Sequence, residues 1–513
     1  MFELFNIKKI IFKKTSKTNS KNGADGSNGI YLKNTLTGQK EIFKPLKAGK
    51  VSMYHCGPTV YNRSHIGNMR AFVFDDLLGR LFRYHGYDVK QVINITDVGH
   101  LVSDGDEGED KIEKSAREFG KSAKEIADEY TELFMQDLDT LNIKKDQILF
   151  PRATDYIAEQ IEIIELLEKK GLTYKIEDGI YYDTSKTDYG VLGNIKIDDQ
   201  KADASERLKN KGAGKNSQKR NPTDFALWKF STEGEDRQQE WDSPWGVGFP
   251  GWHLECSAMS HKLLGAKFDI HTGGIEHIQI HHNNEIAQSS EAFGQVPANY
   301  WLHNGHVLFG NEKMSKSLGN VVYLSDFEER KMDPMIYRYW LLTSRYSTLT
   351  NFTWTAFEAS AKAYQNILNH FVDAELSGGI VVEKYLNKAL DFVRDDLNTA
   401  GAVAVISELL KDDGDDEGGK ISVADQYKTL IEIDKLLGLD FGRKIKENRQ
   451  NKAQNGRDYD SADIPAEILR KAQERQNMRK SGDFEGADRL RDELASAGYN
   501  VVDRGEEFEV LRK

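Results

Sequence analysis

The chain predicts an α/β fold: a parallel-sheet domain with an insertion, then an α-helical bundle, then a small C-terminal α+β module. Three observations carry this. A strand–helix–strand unit fits within residues 51–95, apolar residues recur every three or four positions beyond residue 333, and the last fifty residues read as two helices followed by an alternating pair of strands. At 513 residues the chain exceeds what one core serves, and a prior of about 150 residues per domain gives roughly three.

Composition excludes whole function classes. With 39% hydrophobic and 30% charged residues the chain is of the soluble globular type, and no apolar run approaches the ~20 residues that span a bilayer. Seventy Lys plus Arg against 82 Asp plus Glu leave a net charge of −12, which argues against indiscriminate nucleic-acid binding and leaves a local basic face open. The N-terminal apolar patch is short, broken by lysines and followed by no small-residue cleavage site, so a cytoplasmic location is expected.

Element by element, residues 1–30 contain a Lys/Ser/Asn/Gly stretch, Lys13 to Asn28, with almost nothing to bury, and read as a disordered tail. Val51 to Cys56 reads as a strand. Met69, Phe72, Val73, Leu77, Leu81 and Phe82 form one face of a helix, and Val89 to Ile95 is a second, buried strand. Residues 31–140 and 222–332 are therefore expected to form the parallel-sheet domain, interrupted by an insertion at 141–221. That insertion opens on a helix from Thr154 to Leu167 and closes on the polar loop Asp199 to Asn221. After Asp97 an acidic loop carries Asp104, Asp106, Glu107, Glu109 and Asp110, but Gly108 at its fifth position breaks the EF-hand pattern and leaves an exposed loop as the reading. Residues 333–442 suit a helical bundle, with helices near Tyr337–Leu342, Ala356–Val372, Tyr385–Val393, Ala400–Leu410 and Tyr427–Leu437. Residues 443–462 read as a polar linker and 463–513 as the terminal module.

Three clusters carry chemistry. His65-Ile66-Gly67-Asn68 lies where a βα loop hands over to its helix; unpaired N–H groups there suit a phosphate, Gly67 allows close backbone approach, and His65 supplies a donor. Lys313-Met314-Ser315-Lys316-Ser317 places two ammonium groups three apart in a loop rich in small residues, suited to gripping a polyphosphate and releasing it. The third cluster lies in the histidine-rich stretch: eight of 13 histidines fall between His253 and His306. On a helix, His281 and Glu285 share a face and offer nitrogen and oxygen to one metal ion, with His277 a rival by the same spacing. The two cysteines, Cys56 and Cys256, fit a disulfide, two core thiols or two metal ligands, and composition does not choose among them. A Cys₂HisGlu set would suit Zn²⁺ better than Mg²⁺ or Ca²⁺.

The first two clusters together resemble the nucleotide-binding pair of class I aminoacyl-tRNA synthetases. The resemblance narrows at Tyr54-His55-Cys56-Gly57-Pro58-Thr59-Val60-Tyr61, at Asn94-Ile95-Thr96-Asp97, at Pro250 to Met259 (PGWHLECSAM) and at the HHNNEIAQS run from His281, which are similar to the cysteinyl-tRNA synthetase family over about Tyr31 to Lys513. It implies a Rossmann-type catalytic domain and one zinc ion bound by Cys56, Cys256, His281 and Glu285. It also implies an amino-acid pocket lined by Thr96 and Trp252, ATP contacts from His65, Gly67 and Asn68, and phosphate contacts from Lys313 and Lys316. Glu276 stands where the family usually has Asp, which lengthens the arm expected to hold the substrate ammonium.

The implied activity is ATP-dependent activation of L-cysteine, with Mg²⁺ accompanying ATP, followed by transfer to tRNA(Cys). The bundle and the terminal module, with Arg470, Lys471, Arg475, Arg479, Lys480, Arg489 and Arg491, would contact the RNA. A monomer is expected. Two rivals share these motifs: a ligase that joins cysteine to an aminosugar pseudodisaccharide, and a catalytically dead relative that binds zinc or RNA.

Overall fold

A computed structural model describes residues 29–99, 110–194, 218–231, 237–315, 318–412, 414–415, 419–458, 464–504 and 507–512. The chain divides into two compact units, one of residues 1–367 with 375–441 and one of residues 368–374 with 442–513. The expected N-terminal tail lies outside the described residues as far as residue 28, and Ile30 is already buried. The acidic positions 104–109 also lie outside them. Asp110 is described: its carboxylate caps the helix Lys111–Phe119 through the N–H groups of Ile112 and Glu113 and pairs with Arg237.

The first unit is organised by a five-stranded parallel sheet. Its strands are β1 (Lys50–His55), β2 (Asp88–Ile93), β3 (Ile148–Leu149), β4 (Phe268–Gly274) and β5 (Ala298–Asn304), in spatial order β5-β4-β1-β2-β3. The chain leaves β1 toward β2 and later returns on β1's other side as β4. This reversal of strand order opens a crevice at the carboxyl ends of β1 and β4, where a parallel sheet binds its ligands. Helix α1 (Ile66–Tyr84) follows β1, α2 (Trp252–Leu264) precedes β4, and α3 (His281–Phe293) links β4 to β5.

Helix α1 buries Ile66, Met69, Phe72, Val73, Leu77 and Leu81, spaced by three and four. It also carries a buried ion pair outward: Asp76 accepts from the Arg338 guanidinium at 2.6 Å, and Arg338 donates as well to the carbonyls of Leu437 and Leu141. One fully buried arginine thus ties the helices Met335–Leu342 and Val423–Leu437 to the sheet domain.

The strands β4 and β5 were not separately foreseen in the histidine-rich stretch. Phe268, Ile270, Ala298, Tyr300 and Trp301 supply apolar residues, but Asp269 and Asn299 interrupt them, and His271, Thr272, His303 and Asn304 toward the carboxyl ends, which line the crevice, hide the strand pattern. A second sheet, antiparallel, runs Thr173–Ile176, Gly179–Tyr182, Phe225–Phe230, Gly248–Pro250. Its last two strands lie beyond residue 221, where the insertion was expected to end, whereas β3 lies inside the range expected for the insertion. Strand pairing crosses both boundaries because a sheet is closed by long-range hydrogen bonds that local composition does not reveal.

The stretch expected as a linker is helical as far as it is described: one helix spans Phe441–Asp458, and residues 459–462 lie outside the described residues. Lys, Arg, Glu and Gln favour helix without an apolar stripe, and Arg443 pairs with Glu447 one turn on. Arg449 donates to the carbonyls of Phe371 and Ala374 within the same unit. The terminal module is as expected in type. Helices Ala466–Ser481 and Phe484–Ser496 and the antiparallel pair Tyr499–Arg504 and Glu507–Arg512 pack around Ala472, Leu494, Tyr499 and Val510. Among the described residues, no helix is long and apolar enough to cross a membrane.

Candidate metal centre and nucleotide cleft

Cys56 is the first residue past β1, Cys256 lies on the second turn of α2, and His281 and Glu285 lie one turn apart at the start of α3. Three separate elements therefore aim four side chains into the crevice. One ligand atom from each lies within 4.8 Å of all the others, and all four residues are buried. Ligands of one tetrahedral zinc ion, bound at ~2.0–2.3 Å, sit about 3.3–3.8 Å apart; the donor set fits such an ion in chemistry, and its 4.8 Å limit is compatible with that spacing after a small inward shift. A further sign is the His281 imidazole: its Nε2 lies 3.0 Å from Glu285 Oε1 without meeting hydrogen-bond geometry, a buried polar atom left for another partner.

A second set shares two of these residues. Cys56, His271, His282 and Glu285 also bring donor atoms within 4.8 Å of one another. His271 Nε2 is 2.9 Å from Glu285 Oε2, and His282 Nε2 is 3.2 Å from Cys56 Sγ. Behind them His282 Nδ1 meets His303 Nε2 at 2.8 Å, and His303 Nδ1 meets Thr35 Oγ1 at 2.8 Å. Hydrogen bonds of this kind orient metal ligands from behind. Burial pushes the Glu285 carboxyl up, but the imidazoles of His271 and His281 overcome it and hold the group at about 2, as a carboxylate. His271 and His282 were not foreseen; the adjacent pair His281-His282 was the only sequence signal. His277, the rival by spacing, belongs to neither set.

The expected amino-acid pocket is brought together in part. Trp252, the first residue of α2, packs its ring 4.7 Å from that of His281. Thr96 is buried beside the cluster, donating to Glu255 Oε2 at 3.0 Å and accepting from Asn94 Nδ2 at 2.9 Å. Asn94 Oδ1 in turn accepts the Gly57 N–H and lies 3.8 Å from Cys256 Sγ. Glu276 is different: its side chain is 48% exposed and faces His306 Nδ1 at 3.5 Å, apart from the clustered donors.

The nucleotide motifs meet each other. His65 caps α1, its Nδ1 accepting the Asn68 N–H at 3.2 Å while Asn68 Oδ1 accepts the His65 N–H at 3.1 Å. This reciprocal box fixes the helix terminus. Burial, with the Lys313 ammonium adding to it, lowers His65 to about 4, so the imidazole is neutral at pH 7. A Cβ on Gly67 would lie 2.8 Å from His65 Cε1 and 3.0 Å from Met314 Cε; glycine thus lets the buried Met314 of the lysine loop sit on the helix terminus. The Ile66 N–H donates to Val322 O at 2.9 Å, a second tie between the two motifs. Lys313 is exposed, and Lys316 lies outside the described residues. Asn320 braces the loop, accepting the Ser315 N–H and donating to Lys313 O, and Gly319 turns it at φ +63°.

In the terminal module the seven cations are not equivalent. Arg475 is buried in a two-pronged pair with Asp503, Arg479 also reaches Asp503, Lys471 pairs with Glu493, and Arg491 lies 3.8 Å from Asp488. Arg470, Arg479, Lys480, Arg489 and Arg491 are exposed.

The family described as "tRNA synthetases class I (C) catalytic domain" matches residues 42–362, more than half of the chain and a range that holds the metal cluster and both nucleotide motifs. The sheet domain is accordingly a class I aminoacyl-tRNA synthetase catalytic domain. The chain is 44% identical over 480 residues to cysteine--tRNA ligase 1 of Burkholderia lata, covering 93% of this chain and 96% of that one. It is 39% identical over 502 residues to the cysteine--tRNA ligase of Treponema denticola, covering 93% and 98%. The chain belongs to the cysteine--tRNA ligase family. A solved LeuRS–tRNA–LeuAMS ternary complex from Agrobacterium radiobacter shares the fold, with a TM-score of 0.52, 13% identity, and 79% of this chain and 85% of that one covered.

Proposed function

We propose that this chain activates L-cysteine with ATP to cysteinyl-adenylate and pyrophosphate, and transfers cysteine to the 3′-terminal adenosine of tRNA(Cys). The single observation that carries the reading is the convergence of two thiols, an imidazole and a carboxylate at the sheet's crevice, in the same unit as the paired nucleotide motifs. Cys56, Cys256, His281 and Glu285 would hold one zinc ion, which when bound supplies a site for thiolate that the alcohol of serine matches poorly. A pocket that demands a specific bond discriminates by about 10⁴ or more, against about 10² for shape alone, so no separate editing domain is expected.

Thr96 and Trp252 would line the amino-acid pocket. The substrate carboxylate then attacks the α-phosphorus of ATP and pyrophosphate leaves. Neutral His65 donates to a phosphate oxygen, Gly67 at the N-terminus of α1 offers its backbone N–H and close approach, the Asn68 side chain would contact ATP, and Lys313 and Lys316 meet the departing charge together with the Mg²⁺ that accompanies ATP. Catalysis is positioning and charge stabilisation, with no protein nucleophile. Residues 333–442 and 463–513 would contact the tRNA, the second through cations exposed on its helices, Arg470, Arg479, Lys480, Arg489 and Arg491. In this reading the enzyme works as a cytoplasmic monomer.

Cysteine-dependent ATP–pyrophosphate exchange, followed by charging of a transcript with anticodon GCA, tests the reading. Exchange with cysteine, weak exchange with serine and charging of the transcript are expected. Absence of exchange would make the chain a non-catalytic relative, and brisk exchange without charging would favour the aminosugar ligase.

A further inference from the structure

His277 lies in the single 3₁₀ turn, Ile275–Ile278, that joins the end of β4 to α3. It is held over the crevice by the absence of a side chain at Gly273: a Cβ there would lie 2.6 Å from His277 Nδ1 and 2.7 Å from His282 Cε1. Thr272 pairs with His55 across β4 and β1, and its carbonyl accepts the Cys56 N–H at 3.2 Å, so Gly273 is level with the first presumptive metal ligand. The His277 ring stacks obliquely 4.9 Å from His281 and stands edge-on 6.4 Å from Trp252. Its Nδ1 is nevertheless buried with no hydrogen-bond partner. A buried polar atom at a ligand site that no protein group satisfies is most simply explained by the ligand. A neutral imidazole that carries its proton on Nε2 presents an acceptor at Nδ1.

An amino acid whose sulfur is held at Cys56 and Cys256 needs an acceptor for its ammonium group close by. Glu276, one residue before His277, is half-exposed and turned toward His306. We propose that His277 is a specificity-determining residue whose Nδ1 accepts a hydrogen bond from the α-ammonium group of the substrate, so that the pocket selects amino thiols over thiols that lack the amine. The proposal rests on the cysteine-activating reading.

The test is a cycle between residue and ligand. Calorimetric dissociation constants for L-cysteine and for 3-mercaptopropionate, which lacks the amine, are measured on wild type, His277→Leu and His277→Asn, with zinc content and thermal midpoint of each. Hydrogen bonds to a charged group are worth about ten- to hundredfold. In His277→Leu the preference for cysteine over the desamino thiol should fall at least tenfold, through cysteine binding alone, with zinc content unchanged. Asn, which keeps an acceptor near the Nδ1 position, should restore part of it, and kcat for exchange should move less than the cysteine KM. An unchanged preference in a folded His277→Leu, equal weakening of both ligands, or loss of zinc would overturn the proposal. Wild type that shows no cysteine-dependent exchange would remove the parent reading and this one with it; exchange with an unaltered preference would remove this one alone.

Discussion

The metal cluster and the lysine loop lie in one unit and are built on opposite principles. The cluster takes one residue from the end of a strand, one from α2 and two from α3, all buried and backed by His271, His282 and His303. The loop takes consecutive residues, anchors one buried methionine against Gly67, and leaves Lys313 exposed. In the proposed function, discrimination between sulfur and oxygen needs fixed donors whose geometry does not relax, and the regular elements that carry the cluster suit that task. In the same proposal, holding and releasing a polyphosphate needs charge that comes and goes, which suits a loop steadied by a few side-chain bonds.

The comparison predicts that defects at the two regions separate. Cys56→Ser should break the cluster outright, lowering zinc content and cysteine-dependent exchange together, the latter by roughly a hundredfold or more; elemental analysis beside exchange kinetics reads both, and full activity without metal would collapse the distinction. Gly67→Ala should leave zinc in place and cost about ten- to hundredfold in kcat/KM for ATP, because the new methyl sits between His65 and Met314. A smaller effect is expected for Asn320→Ala, roughly tenfold in kcat with the cysteine KM and zinc content unchanged, since only the bracing of the loop is lost; steady-state exchange kinetics would reveal any effect on cysteine binding.

The smallest effect is on stability against pH. His65 titrates at about 4 in the folded chain against ~6.5 unfolded, so between these values the unfolded chain binds more protons. Stability from this group is present above pH 6.5 and is lost as pH falls toward 4, on the order of 1 kcal/mol given partial exposure. His65→Asn, which preserves a capping side chain, should flatten that slope in urea unfolding measured from pH 7 to 4. An identical slope in the variant would show that the imidazole is not the titrating group.

Several helices were legible because an apolar face recurring every three or four residues is a local signal, as in α1. The four presumptive ligands were legible through resemblance, although the cysteines alone left a disulfide and bland core thiols open. What escaped were features set by partners far away in sequence. The strands β4 and β5 carry polar residues where they line the crevice, the antiparallel sheet recruits strands from beyond its apparent boundary, and Phe441–Asp458 is a helix whose apolar contacts are confined to its start, at Phe441 and Ile445. Arg475 looked like a free cation until Asp503, 28 residues on, was folded against it.

Local composition and spacing sufficed for the first strand–helix–strand unit, the helical character beyond residue 333 and the turn that would set His281 beside Glu285 on a helix, since these depend on neighbours within a few residues, while the two nucleotide motifs were read by resemblance. Folding alone could bring Cys56 and Cys256 to that turn, back the ligands with His271 and His282, turn Glu276 outward and leave His277 Nδ1 facing no protein partner. These outcomes depend on which strand lies beside which, and long-range pairing leaves no trace in short-range sequence.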